Sequence, residues 1–264
     1  MQKSFKDVKI ILKFSIKLII TKGNKNCLTN NFIILVLFLL LKEMMHTLTG
    51  PVSYNFPNQK PTDLIVFLHG YGSCGNDLIS LAKYFEDIFE RPYFIAPNAP
   101  ENYEYVGSTF PNEFQWYSLL NRSVGNLVEG SKKAEVSLNY FLDAKLKELD
   151  LTNSNLYLIG FSQGTMISLY TALRRKDGGC KAIIAFSGTM VAPENLEKEI
   201  VSKPKICFIH GEKDNIVPIS LGKIAYNYAV QAGIEAEFHK IPNLQHYLDS
   251  AAVEEAKKFL LSVK

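Results

Sequence analysis

The amino-acid sequence predicts an α/β fold with a mostly parallel central sheet and helices on both faces. From Thr62 onward, short β-rich apolar runs alternate with segments of helical periodicity, and the runs are apolar throughout rather than at every second position. Continuous apolar runs are typical of strands that are covered on both faces. Strands that alternate with helices along the chain indicate a parallel sheet.

The individual elements follow from the same patterns. Six segments are predicted to be strands: 64–68, 93–96, 156–159, 182–186, 206–209 and 236–240. Five are predicted to be helices: 76–85, 131–149, 163–174, 219–232 and 249–263. Ser131 and Asp249 are predicted N-terminal caps, and Gly233 is predicted to end the fourth helix. Residues 97–130 have no clear periodicity and predict a long functional loop.

Composition excludes several classes of protein. The 264 residues include 29 Lys and Arg and 26 Asp and Glu, a balance too even for a nucleic-acid-binding protein. The four cysteines are scattered and form no C-x-x-C pair, which excludes a zinc ribbon and a redox motif. We therefore expect a cytoplasmic protein without metal or cofactor, in which Cys74 is either an inert or a reactive thiol.

The first 43 residues differ from the rest of the chain. They contain eight lysines, two acidic residues and no proline or alanine, whereas all 11 prolines come later. The longest apolar run, 32–41, is too short to cross a bilayer as a helix and lacks a cleavage site for secretion. Two explanations stay open for an extension over 1–44: peripheral contact of residues 1–43 with an anionic membrane, or non-native residues upstream of a start at Met44 or Met45.

A candidate nucleophile lies between a predicted strand and a predicted helix. Residues 160–164 read Gly-Phe-Ser-Gln-Gly, which is the G-x-S-x-G pattern of a nucleophile elbow. The glycines are required because side chains at those positions would collide with the neighbouring strand and helix. The motif predicts that Ser162 is lifted clear of the sheet at the N-terminus of a helix.

A serine nucleophile needs a base and a carboxylate that orients the base. In folds with this elbow the chain order is Ser, then acid, then His. Asp214 follows the predicted strand 206–209, and His246 follows the last predicted strand, so both open onto the edge of the sheet where Ser162 lies. Glu212 is the alternative acid, but it sits too near the end of its strand.

The other histidines are predicted to have structural roles. His69 and His210 each precede a glycine at a strand end and are expected to support loops by hydrogen bonds. His239 lies inside the last predicted strand. Order and position therefore favour His246 as the base.

The backbone donors of an oxyanion hole are also predicted. One is the N–H of Gln163, the residue after the nucleophile, and the other comes from the loop after the first predicted strand. This loop, 69–75, is rich in glycine, and Tyr71 N–H is the expected donor. A phosphate-binding interpretation fails because neither G-x-x-x-x-G-K-[ST] nor G-x-G-x-x-G occurs there.

Aromatic residues are concentrated in the predicted loop 97–130. Phe114, Trp116 and Tyr117 are the candidate substrate-binding residues, because such side chains can form the wall of an apolar pocket. The alternative is a loop that packs on its own small aromatic cluster.

These motifs, taken in order, resemble the phospholipase/carboxylesterase family of α/β-hydrolases, which includes acyl-protein thioesterases. The segments that carry the resemblance are 68–72, 97–100, 116–117, 160–164, 210–214 and His246. The resemblance covers about residues 48–262 and implies an α/β-hydrolase domain over 45–264 without a large cap domain. It also implies Ser162, Asp214 and His246 as the catalytic triad and Tyr71 and Gln163 as the oxyanion donors. The chain departs from the family at Thr165, Ser118 and Gln245, where a glycine, an acid and a glycine are common.

The sequence thus predicts a serine hydrolase of carboxylic esters or thioesters that acts through an acyl-enzyme. Short acyl esters, lysophospholipids and acylated proteins are the implied substrates. Hydrolysis of another acyl bond is a variant of this prediction. The alternative from another class is a catalytically inactive module that keeps the fold to bind a lipid or a partner.

Overall fold

The computed structural model describes residues 48–105 and 112–264. The predicted extension over residues 1–44 lies outside the described residues. Within the part that is described, no helix combines the length and apolar character needed to cross a membrane.

The strands of the described residues build one large sheet and one small hairpin. In chain order they are β1 (Val52–Ser53), β2 (Asp63–Leu68), β3 (Pro92–Ile95), β4 (Glu101–Asn102), β5 (Phe114–Gln115), β6 (Leu156–Phe161), β7 (Ala182–Phe186), β8 (Lys205–Gly211) and β9 (Ala236–Ile241). The large sheet has the order β1-β3-β2-β6-β7-β8-β9. Within this large sheet, β1 alone is antiparallel to its neighbour, and all the other pairs are parallel. The predicted mostly parallel sheet is therefore confirmed. All six predicted strands are present within two residues of the predicted ends.

Both faces of this sheet are covered, as the continuous apolar runs predict. In β2, Leu64, Val66 and Leu68 belong to one buried cluster, and Ile65 and Phe67 belong to a second one. Because successive side chains of a strand point to opposite faces, the two clusters lie on opposite sides of the sheet. Burial on both sides explains why the strand tolerates no polar residue in its interior.

The helices follow the strands in alternation. They are α1 (Gly75–Ile79), α2 (Val124–Leu149), α3 (Gln163–Arg174), α4 (Leu196–Glu199), α5 (Ile219–Gln231) and α6 (Ser250–Val263). The predicted bounds of α3 are confirmed at both ends. The predicted helix 76–85 is instead α1 followed by a 3-10 helix over Ser80–Tyr84.

The predicted start of the longest helix is wrong. Helix α2 begins at Val124, with Ser123 at the N-cap position, and Ser131 is a fully buried residue in its interior. Gly125 and Gly130 weaken the helical pattern of these first turns. Packing compensates: a Cβ on Gly130 would lie 2.7 Å from Cβ of Tyr117, so this turn fits closely against the core. The predicted loop 97–130 therefore ends earlier and also contains the β4–β5 hairpin.

Two predicted helix ends are confirmed. The carboxylate of Asp249 accepts a hydrogen bond from the Ala252 N–H at 2.8 Å, which caps the N-terminus of α6. Gly233 follows α5 with φ of +74°, the left-handed conformation that favours glycine at this position.

We expect Asp249→Ala to lower the free energy of unfolding by about 1 kcal/mol, because the first turn of α6 loses the acceptor for one of its free N–H groups. Asp249→Asn is the matched control, since its side-chain oxygen can accept the same bond. Urea unfolding of both variants measures the difference. Equal losses in the two variants would contradict the capping role.

Candidate active site

Three loops meet at the carboxyl edge of the parallel sheet. Ser162 follows β6, Asp214 follows β8 and His246 follows β9. Because parallel strands end at one edge, residues that are far apart along the chain become neighbours there. The structure brings these three residues of the predicted site into one hydrogen-bonded chain.

The turn that carries Ser162 is tight and strained. Ser162 has φ of 54° and ψ of −114°, a conformation that costs an ordinary residue on the order of 1–3 kcal/mol. A Cβ on Gly164 would lie 1.8 Å from the Leu68 carbonyl oxygen, and one on Gly160 would lie 2.5 Å from the Gly164 carbonyl oxygen. The predicted need for glycine at both positions is confirmed: at Gly164 the cause is the close approach of α3 to β2, and at Gly160 it is the close approach of β6 to the first turn of α3.

Thr165 occupies the position where the family commonly has glycine. Its hydroxyl lies 2.8 Å from the carbonyl oxygens of both Gly160 and Phe186, on two adjacent strands. A Cβ on Gly188 would lie 2.4 Å from Cβ of Thr165, so Gly188 provides the space that the threonine fills. The larger side chain thus fits without displacing the elbow.

The hydrogen bonds define which atoms carry protons. His246 Nδ1 lies 2.7 Å from Asp214 Oδ2, and His246 Nε2 lies 3.0 Å from Ser162 Oγ. A carboxylate only accepts, so Nδ1 carries the hydrogen and the lone pair of Nε2 faces the serine hydroxyl. This is the arrangement in which an imidazole can remove the hydroxyl proton.

Asp214 is held by its own loop. Its residue exposure is 7%, and its Oδ1 accepts hydrogen bonds from the N–H groups of Ile216 at 3.0 Å and Val217 at 2.9 Å. These two donors satisfy an oxygen that is buried away from water. Glu212, the alternative acid, instead forms an ion pair with Lys240 on the surface.

His210 supports this loop, as predicted. Its Nε2 donates to the Val217 carbonyl oxygen at 2.8 Å. Burial lowers the pKa of His210, and the hydrogen bond to Val217 offsets this in part. A neutral His210 does not compete with His246 for the charge of Asp214.

His69 organises the loop that is predicted to hold the oxyanion. Its Nδ1 donates to the Gly70 carbonyl oxygen at 2.8 Å, and its Nε2 accepts from the Ala99 N–H at 3.0 Å. The bond from Ala99 requires the neutral ring, because a protonated Nε2 cannot accept it, and burial lowers the pKa of His69. A Cβ on Gly70 would lie 3.4 Å from Cβ of Ser162, so the loop reaches the serine.

The Gln163 side chain joins the elbow to the 116–117 segment. Its Oε1 accepts from the Trp116 N–H at 3.0 Å, and its Nε2 donates to the Tyr117 carbonyl oxygen at 2.7 Å. Trp116 Nε1 in turn donates to the His69 carbonyl oxygen at 2.9 Å. Gln163 and the start of the loop that carries Tyr71 are therefore anchored to the same segment.

The three predicted substrate-binding aromatics occupy different environments. Trp116 and Tyr117 are each 1% exposed and belong to the core cluster on one face of the sheet. Phe114 is partly exposed and pairs with Ser73 beside the glycine-rich loop. The burial of Trp116 and Tyr117 corrects the predicted aromatic wall and leaves Phe114 as its partly exposed member.

Sequence reasoning missed Glu104. Its carboxylate accepts hydrogen bonds from the Tyr71 hydroxyl at 2.5 Å and from the Leu119 N–H at 3.1 Å. Burial raises the pKa of Glu104, but hydrogen bonds from Tyr71 and Ser118 outweigh it and lower the pKa overall. The family commonly has an acid at the position of Ser118, and in this chain Glu104 places a carboxylate beside that position instead. No local pattern marks Glu104, because its partners are 15 and 33 residues away.

Gln245, the last departure from the family pattern, also fits the turn before His246. Its side chain is exposed, and its carbonyl oxygen accepts from the Tyr247 N–H at 3.0 Å. The residue that packs closely against this turn is Gly211 at the end of β8, where a Cβ would lie 2.4 Å from the Leu244 carbonyl oxygen.

The chain is similar to known proteins in both sequence and fold. The family model described as Phospholipase/Carboxylesterase matches residues 53–264. The chain is 30% identical to acyl-protein thioesterase 1 of Emericella nidulans over 222 residues, which cover 76% of this chain and 90% of that protein. It is 26% identical over 206 residues to acyl-protein thioesterase 1 homolog 1 of Dictyostelium discoideum, covering 74% and 88%. The crystal structure of esterase PE8 superposes with a TM-score of 0.76 at 36% identity, covering 83% of this chain and all of that one.

We expect Gly164→Ala to lower the free energy of unfolding by at least about 3 kcal/mol, because the added methyl group overlaps the backbone of β2. The matched control is Gly125→Ala in α2, where a Cβ meets nothing within 4 Å. This control should gain up to about 1 kcal/mol from helix propensity. Denaturant unfolding measures both. A tolerated alanine at 164 would contradict the close approach of α3 to β2.

We expect the free energy of unfolding to fall as pH is lowered below about 6.5, because the unfolded chain protonates His69 while the folded protein resists it. In that window the unfolded state binds more protons, so stability rises with pH. His69→Gln retains a donor and an acceptor but cannot titrate, and it should remove part of the slope. Urea unfolding at about pH 7.5 and about pH 5.5 tests this. An unchanged slope in the variant would show that His69 does not carry the effect.

Proposed function

The chain belongs to the phospholipase/carboxylesterase family and is a hydrolase of the esterase and thioesterase kind, and we propose that it forms an acyl-enzyme on Ser162. The observation that carries this proposal is the hydrogen-bonded chain from Ser162 through His246 to Asp214. A hydroxyl is a weak nucleophile at neutral pH. These hydrogen bonds provide it with a base, His246, and with a carboxylate that orients the base, Asp214.

In the first step, Ser162 Oγ attacks the acyl carbonyl carbon while His246 Nε2 accepts the hydroxyl proton. The Asp214 carboxylate stabilises the imidazolium that forms. It also orients the ring, because it holds the His246 Nδ1–H in a hydrogen bond. His246 then gives the proton to the leaving alcohol or thiol as the carbon–oxygen or carbon–sulfur bond breaks. The acyl group remains on Ser162 as an ester.

The second step releases the acid. A water molecule takes the place of the leaving group, His246 removes its proton, and the resulting hydroxide attacks the acyl-enzyme carbonyl. The proton returns to Ser162 Oγ as the ester bond breaks, so the enzyme is regenerated. No group outside the chain and water is needed to balance either step.

The developing negative charge on the carbonyl oxygen is assigned to the N–H groups of Tyr71 and Gln163. Support comes from the position of the Gly70 backbone beside Ser162 and from Gln163 as the first residue of α3. The α3 N-terminus also contributes a partial positive charge. Loss of one such donor costs about 100- to 1,000-fold in turnover in comparable enzymes.

Carboxylic esters and thioesters with an apolar acyl group are the proposed substrates, including lysophospholipids and acylated proteins. The names of the relatives from Emericella nidulans and Dictyostelium discoideum support the acylated proteins. Phe114 is the proposed apolar contact near the site. A cytoplasmic location, with peripheral membrane contact through residues 1–43, is proposed on composition alone.

We expect Ser162→Ala to lose on the order of a millionfold in ester turnover and all covalent labelling by a fluorophosphonate probe, because the nucleophile is removed. Ser168→Ala is the matched control: this serine is buried in α3 and donates to the Gly164 carbonyl oxygen. It should keep labelling and turnover. Labelling that persists in folded Ser162→Ala would place the nucleophile elsewhere.

A second assay compares the esterase with a hydrolase of another acyl bond and with an inactive binding module. The wild-type protein is given p-nitrophenyl esters of increasing chain length and a matched amide. Turnover of esters without turnover of the amide supports an esterase, and the chain-length profile measures the acyl site. Amide turnover would instead support the hydrolase of another acyl bond. A folded wild-type protein that is not labelled at all would contradict the enzyme and favour the binding module.

A further inference from the structure

A second cluster of reactive side chains lies in the middle of β8 and β9. Cys207 in β8 is paired in register with Glu237 in β9, and His239 lies two residues further along β9, on the same face. One potential ligand atom from each residue lies within 4.8 Å of the others. Cys207 is fully buried on the face covered by α6. The cluster is separate from Asp214 and His246, which follow the ends of these strands.

A neighbouring carboxylate orients the His239 ring. Glu255 in α6 places Oε2 3.0 Å from His239 Nδ1. A carboxylate accepts hydrogen bonds, so this contact favours a hydrogen on Nδ1. Metal-binding histidines are commonly held by a carboxylate in this way.

The other ring nitrogen has no hydrogen-bond partner. His239 Nε2 is buried without a hydrogen bond, and it lies 3.0 Å from Glu237 Oε1, which is within ion-pair distance. A buried polar atom without a hydrogen-bond partner destabilises the folded state. This ring nitrogen and carboxylate oxygen face each other beside a thiol, an arrangement that a cation would satisfy, either a proton on Nε2 or a metal ion.

We propose that Cys207 Sγ, the Glu237 carboxylate and His239 Nε2 form a Zn²⁺ site. Thiolate, imidazole and carboxylate are the ligands that zinc combines in proteins, whereas Mg²⁺ and Ca²⁺ select oxygen alone. Zinc bonds of about 2.0–2.3 Å place ligand atoms roughly 3.3–3.7 Å apart in a tetrahedron. The cluster therefore closes on the ion by side-chain shifts of about 1 Å.

The fourth position of the site belongs to water. The side chains of His239 and Glu237 are 31% and 45% exposed, which gives the ion a route in from the edge of the sheet. Zinc displaces the thiol proton of Cys207, which leaves to solvent. The bound ion ties β9 and, through Glu255, α6 to β8, so its effect is on stability rather than on ester cleavage.

No motif in the sequence marks this site, and the sequence predicts no metal. Its first and second ligands are 30 residues apart, without the short cysteine or histidine spacings typical of zinc motifs. Only the pairing of β8 with β9 brings the three residues together.

The test uses the full chain after treatment with a chelator. Co²⁺ is added while the thiolate-to-cobalt charge-transfer absorption is recorded, and Zn²⁺ is then added as a competitor. We expect one thiolate-bound Co²⁺ per chain, displaced by Zn²⁺. The absorption separates this site from His246 and Asp214, which have no thiol beside them in the hydrogen-bonded chain described above.

Single substitutions identify the ligands. Cys207→Ser and His239→Gln should abolish the absorption, and Glu255→Gln should weaken binding about 10- to 100-fold. Cys74→Ser and Cys180→Ser are the matched controls and should retain it. Circular dichroism checks each fold. His239 is partly exposed, so His239→Gln remains informative if Cys207→Ser fails to fold.

Thermal unfolding gives an independent measurement. Saturating Zn²⁺ should raise the midpoint of the wild type but not that of His239→Gln, because only the folded wild type holds the complete site. Folded wild type without the absorption would overturn the proposal and leave a purely hydrogen-bonded cluster. Absorption that survives in His239→Gln, or that disappears in Cys74→Ser, would also overturn it.

Discussion

The close approach of α3 to the end of β2 is the constraint on which the site depends. At Gly164 the helix touches the Leu68 carbonyl oxygen so closely that no side chain fits between them. This contact forces the chain to turn sharply at Ser162, which takes a positive φ as a result. The strain is repaid by the apolar contacts of β6 and α3, both buried along most of their length. Ser162 is partly exposed at this turn, whereas Gln163 and Gly164 after it are buried.

Buried polar groups then determine the electrostatics of the site. His69 and His210 are both kept neutral by burial, and each uses its ring to fix a loop. Asp214 is left as the buried carboxylate that faces the His246 ring, with two backbone N–H groups on its other oxygen. The neutral His210 ring, whose Nε2 lies 3.5 Å from Asp214 Oδ2, leaves the charge of Asp214 available to a positive charge on His246.

Local patterns predicted the parts of the fold that local physics decides. Continuous apolar runs identified all six predicted strands, and the elbow, Asp214 and His246 followed from a short motif and from chain order. The first turns of α2 were missed because Gly125 and Gly130 hide the helical pattern and packing against Tyr117 replaces it. Glu104 and the burial of Trp116 were missed because their contacts join distant segments. Aromatic composition cannot tell a pocket wall from a core residue.

The site consists of two halves that are braced separately. On one side, Gln163 and Trp116 connect the elbow to the loop after β2. On the other side, the Glu212 N–H donates to the Ile241 carbonyl oxygen and the Lys213 N–H to the Leu244 carbonyl oxygen, each at 2.9 Å, so the loops that carry the acid and the base support each other. The 3.0 Å contact between His246 and Ser162 joins the halves. A change in the hydrogen bonds of Gln163 and Trp116 therefore alters the alignment of the oxyanion donors. A change in the hydrogen bonds between the loops of Asp214 and His246 alters proton transfer. Only a shift of the contact between His246 and Ser162 alters both.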